Sequence, residues 1–117
     1  MTLTLPLPPW SLNRRGHWSV RYRAEKAWRV RAAVALQSQR ALKPPAPLDR
    51  ARVTALVVTQ RTADLDNCTG RLKGILDLLV RSGWLAADDP AHLIALTVTQ
   101  ATDHLRPRVE VTIEAAA

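Results

Sequence analysis

Thr and Leu alternate from Thr2 to Leu7, a period of two that predicts a short strand. Pro8-Pro9 stops it, and a polar, basic loop follows from Trp10 to Ser19, with Ser11, Asn13, Arg14, Arg15, Gly16 and His17. Ser19 can cap a helix, which is predicted from about Val20 to Leu42. Val20, Ala24, Ala27, Trp28, Ala35 and Leu42 make its apolar side, which Arg31 interrupts. Lys26, Arg29 and Arg40 fall on the far side. Pro44-Pro45-Ala46-Pro47 is a stiff connector, too short to divide two domains. Arg52 to Thr59, with Val53, Leu56, Val57 and Val58, reads as a largely buried strand. A second helix is predicted from about Asp66 to Val80, where Leu65, Cys68, Leu72, Ile75, Leu76 and Leu79 recur at helical spacing. Asp66, Gly70, Lys73 and Asp77 form a separate stripe at i, i+4, i+7 and i+11. Arg81 to His92 is a loop holding Gly83, Trp84, Asp88, Asp89 and Pro90. Leu93 to Gln100 and Arg108 to Glu114 predict two final strands forming a hairpin. The order is β-α-β-α-β-β, an α/β (α+β) chain without an internal repeat.

Composition narrows the class. The 117 residues fit one domain, residues 1–117, and 47% of them are hydrophobic, enough for a core. With no Phe, that core must be aliphatic, helped by four Trp. No apolar run approaches a membrane span, and the N-terminus lacks the charged start and long apolar run of a signal peptide. The single cysteine, Cys68, excludes an internal disulfide framework and fits a reducing cytosol, so a cytoplasmic protein is expected.

Charge is unevenly placed. Residues 1–61 carry 12 Lys and Arg against Glu25 and Asp49 alone, a net of +10. Residues 62–117 carry 5 Lys and Arg against 8 acids, a net of −3. A basic half favours phosphate contacts with counterion release and points to nucleic acid, although a solvated basic surface has the same composition.

The acids are grouped. Asp64-Leu65-Asp66-Asn67 stands at a strand-to-helix junction, and Asp88-Asp89 follows in the next loop. Carboxylates grouped inside a cationic chain suggest a metal site working on a polyanion. Phosphodiester cleavage needs a nucleophilic water, neutralisation of the phosphate and help for the leaving oxygen. Mg²⁺ provides all three and takes carboxylate oxygens as ligands. In extended chain, Asp64 and Asp66 leave the same side and can share one ion. Lys73 can neutralise phosphate charge or hold the attacking water. Each position also has a plainer reading: Asp66 or Asn67 as helix cap, Asp88-Asp89-Pro90 as a turn, Lys73 and Asp77 as a surface pair. Cys68 reads as a small core residue, His17 as a surface or phosphate contact, and Trp84 as an anchor for its loop.

At these residues the chain resembles the RusA-type Holliday-junction resolvases of bacteria and their phages. The resemblance begins with Pro8-Pro9 and Ser11-Leu12-Asn13. It continues through Arg61, Asp64-Leu65-Asp66-Asn67, Leu72-Lys73-Gly74-Ile75-Leu76-Asp77, Gly83 and Asp88-Asp89, and so spans nearly the whole chain. It implies a small mixed sheet with two main helices, a homodimer, and Mg²⁺-dependent cutting of four-way DNA, with Mn²⁺ able to substitute. By this resemblance Asp64, Asp66 and Asp89 are the catalytic, metal-holding acids and Lys73 is the catalytic lysine. Asp88 remains a candidate ligand and Asp77 a supporting residue. In the family's pattern the lysine follows the second aspartate by one helical turn. Here Gly70 holds that place, and Lys73 comes a turn later. Asn13, Arg14, Arg15, Arg21 and Arg23 are the expected DNA contacts. Two other functions share this residue set: a nuclease on other branched or duplex DNA, and a non-catalytic DNA-binding module.

Overall fold

The computed structural model describes residues 1–9, 18–61 and 71–116. Strand β1 (Thr2–Leu5) is followed by helix α1 (Trp18–Ser38), a 3-10 turn (Arg40–Leu42), strand β2 (Ala51–Thr59), helix α2 (Leu72–Arg81), and strands β3 (Leu93–Thr102) and β4 (Arg108–Ala115). The expected order of elements is present, and the sheet is mixed. Its strands lie in the order β1-β4-β2-β3. β2 pairs in parallel with β3, from Ala51 opposite Leu93 to Thr59 opposite Thr102. It pairs antiparallel with β4, which in turn pairs antiparallel with β1.

The expected β3–β4 hairpin is not formed, because β2 lies between the two strands. Residues 103–107 step across the carboxyl end of β2 instead of reversing beside β3. The N–H of Asp103 donates to the Thr59 carbonyl at 2.9 Å and anchors this arch. β2 takes the centre because it can be buried along its length: Ala51, Val53, Ala55, Val57 and Val58 are all buried.

One face of the sheet carries Leu3, Val53, Val57, Val111 and Ile113 into the core, where both helices meet it. α1 contributes Trp28, Ala32 and Leu36, and Trp28 donates its indole N–H to the Pro6 carbonyl at 2.7 Å. The helix stops four residues before the expected Leu42, which is 48% exposed; Ala27 is exposed too. α2 buries Leu72, Ile75, Leu78 and Leu79, with Leu76 only partly covered. Its seam therefore tilts toward Leu78, one position from the expected set. The predicted beginning of this helix, with Leu65 and Cys68, lies outside the described residues.

α2 ends on Gly83, whose φ of 81° is open to glycine at little cost. Gly83 N–H donates to the Val80 carbonyl at 3.2 Å and Trp84 N–H to the Leu79 carbonyl at 2.9 Å. These two bonds, with Trp84 and Leu79 both buried, form a Schellman closure. Trp84 does anchor its loop: its carbonyl accepts from Leu48 N–H at 3.1 Å.

Candidate functional site

The described residues flank the Asp64-Leu65-Asp66-Asn67 segment on both sides. β2 leads into it through Thr59, whose hydroxyl donates to the Arg61 carbonyl, and exposed Arg61. α2 leads out of it, and the Arg71 guanidinium donates to the Pro8 carbonyl at 3.2 Å, tying the helix start to the chain after β1. Lys73, in the first turn of α2, and Asp77, one turn later, are both exposed. No ion pair joins these two among the described residues.

Beside this end of β2 sits the arch from Asp103 to Pro107. Asp103 Oδ1 accepts from the N–H groups of Leu105 at 2.9 Å and Arg106 at 3.3 Å, and Oδ2 accepts from Arg108 at 3.1 Å. The Leu105 N–H, more than any other group, holds the Asp103 carboxyl below its ordinary pKa. The arch and the end of β1 border a shallow groove of about 410 Å³, lined by Thr4, Pro6, Arg106 and Arg108 among others. Arg108 is engaged by Asp103 and lies 3.6 Å from Glu110.

Asp88 and Asp89 lie past the other end of α2. Asp89 Oδ1 gathers three donors: the N–H of Ala91 at 3.1 Å, the N–H of His92 at 3.2 Å, and His92 Nδ1 at 2.7 Å. His92 Nε2 in turn lies 3.5 Å from Asp49. Ala51 N–H donates to the His92 carbonyl at 2.8 Å, so this cluster stands at the amino ends of β2 and β3. The hydrogen bond from His92 is the main reason the Asp89 carboxyl titrates below its ordinary value, and the same bond raises the His92 pKa.

The predicted site residues are thus placed unequally. Asp64, Asp66, Asn13, Arg14 and Arg15 lie outside the described residues. Arg21 falls within α1, and Arg23 is exposed on it. Lys73 and Asp89 are not brought together within the chain: the eight residues of α2 that follow Lys73 separate them, about 12 Å of helix. His92 and Arg106 are additions that the sequence reading did not single out. The i,i+3 spacing of Asp89 and His92 is the available signal for the first; Arg106-Pro107-Arg108 between two strands gives none for the second.

Carboxylate oxygens are the donors that Mg²⁺ prefers. Asp89 fits that use, because its hydrogen bonds converge on Oδ1 and fix the carboxylate while Oδ2 carries none among the described residues. Among the described residues no group of three or more His, Cys, Asp or Glu side chains could hold an ion. The chain matches no family model, and no curated protein is similar to it.

Proposed function

We propose that this chain is a Mg²⁺-dependent endonuclease that cuts branched DNA, a RusA-type resolvase of four-way junctions acting as a homodimer. One observation carries the reading most: the Asp64-Leu65-Asp66-Asn67 segment joins the carboxyl end of the central strand β2 to a helix whose first exposed cation is Lys73. Carboxyl ends of parallel strands are where open α/β sheets hold their ligands.

In this reading Asp64, Asp66 and Asp89 hold the ion, which when bound supplies positive charge at the scissile phosphate and lowers the pKa of water. Lys73 holds a further positive charge toward the phosphate. Asn13, Arg14, Arg15, Arg21 and Arg23 contact the DNA, and the groove arginine Arg106 supplies a further phosphate contact. Asp89 sits beyond the far end of α2, so a second subunit is the part of the reading that lets it join the other acids. Two symmetric cuts in a four-way junction also call for two sites related by a two-fold axis.

The experiment is Asp66→Asn assayed on a synthetic four-way junction. Retained binding with cutting lost is the expected result. Unchanged cutting would overturn the reading.

A further inference from the structure

The two edges of the sheet are treated differently. The β1 edge is only four residues long, and the Gln39 side chain closes it: Gln39 Nε2 donates to the Thr4 carbonyl at 2.8 Å, and Thr4 N–H donates to Gln39 Oε1 at 2.9 Å. The β3 edge is ten residues long, Leu93 to Thr102, with no charged residue and no proline. Its register with β2 shifts by one residue at Ile94, close to its start, and is regular from Ala95 to Thr102. No strand borders it on the outer side among the described residues. Folded proteins ordinarily blunt such an edge with lysine, proline or a bulge. Ala95, Thr97 and Thr99 are exposed on one face. On the face that continues the core, Val98 is partly covered and Leu96 is 38% exposed.

We propose that β3 is the seam along which two copies of this chain join, antiparallel, into one sheet running across both subunits. Charge selects the occupant. A strand without a cation offers nothing to a nucleic-acid backbone. Two copies of a chain of net charge +7 repel each other overall, and this neutral strand adds no charge of its own to that repulsion. The pairing is self-complementary, as a two-fold axis requires. An antiparallel pair keeps the core faces continuous only if a residue faces itself. Centring on Val98 sets Thr97 opposite Thr99 of the partner subunit, both β-branched and uncharged. The pairing also sets the Asp89 end of one β3 two strands, about 10 Å, from the Thr59 end of the β2 in the second copy. The inference rests on the proposed homodimer and gives it a location.

The test is sedimentation equilibrium of the full chain, without DNA or metal, for the natural protein and for T97K/T99K. Both threonines are exposed in the single chain, so the variant subunit should keep the far-ultraviolet circular dichroism of the natural protein, while like charges face each other across the axis. The natural protein is expected at twice its 13.0 kDa chain mass at tens of micromolar. The variant's dissociation constant should rise at least about tenfold. A second variant, V98C in a C68S background, should cross-link to a dimer with a short bis-maleimide. A monomeric natural protein, an unweakened T97K/T99K dimer, or a dimer that V98C does not cross-link would overturn the proposal. Junction cutting is scored separately on the same samples. A dimer through β3 that never cuts removes the nuclease reading and keeps the seam; cutting by a dimer indifferent to T97K/T99K does the reverse.

Discussion

His92 Nδ1 lies 2.7 Å from Oδ1 of Asp89, three residues earlier, and this contact closes the turn that feeds β3. It raises the His92 pKa and lowers that of Asp89. The charged pair therefore stabilises the fold at pH values above the unfolded carboxylate pKa of about 3.9 and below the unfolded imidazole pKa of about 6.5. The histidine part is lost as pH rises through its raised folded value, and the aspartate part as pH falls through its lowered one. The urea midpoint of His92→Asn, compared with the natural protein between pH 5 and 9, should show the largest gap at pH 5, closing at alkaline pH. A gap independent of pH would mean that the ionised pair contributes nothing.

Gly83 stands at a φ of 81°, where its N–H and that of Trp84 close α2. A Cβ there would sit 3.2 Å from Lys43 Nζ, the end of a flexible side chain, so backbone conformation is the main cost. Gly83→Ala should lower stability by about 1–2 kcal/mol in denaturant titration. A neutral result would show that the helix end relaxes freely.

α2 distinguishes neighbouring leucines. Leu78 is 8% exposed, whereas Leu76 is only partly covered. Leu78→Ala should cost about 2–5 kcal/mol and Leu76→Ala clearly less, read from the same titration. Lys73→Ala, on the exposed side, should stay within about 0.5 kcal/mol of the natural protein.

These leucines also show what was legible in the sequence. Leu72, Ile75 and Leu79 carry helical spacing so regular that the face of α2 could be read directly, and the charge-free run around Val57 marked a buried strand. α1 was harder. Val30 and Val34, 61% and 64% exposed, put apolar residues on its outer side, so periodicity could not single out the inner stripe of Trp28, Ala32 and Leu36. The false hairpin has a different cause. A five-residue connection suits either a reversal or a step over one strand, and the long-range pairing of β2 with β4, from Ala51 opposite Ala115 to Val58 opposite Arg108, selects the step. At the candidate site, the exposure of Lys73 and Asp77 followed from their stripe. The separation of Lys73 from Asp89 did not, because it depends on which way α2 runs along the sheet.

The basic surface makes a prediction for binding. Arg106→Ala, in the groove beside the end of β2, should weaken junction binding and reduce the slope of log K against log salt by about one unit. An unchanged slope, measured by fluorescence anisotropy across salt concentrations, would remove this arginine from the DNA surface.

The central claim is metal-dependent cutting of branched DNA. Its most direct test is incubation of the purified protein with a labelled four-way junction and a matched linear duplex, in Mg²⁺ and in EDTA. Paired symmetric nicks on the junction alone, absent in EDTA and in Lys73→Ala, are predicted. Binding to the junction with no cutting in Mg²⁺ or Mn²⁺ would contradict the account and leave a DNA-binding module in its place.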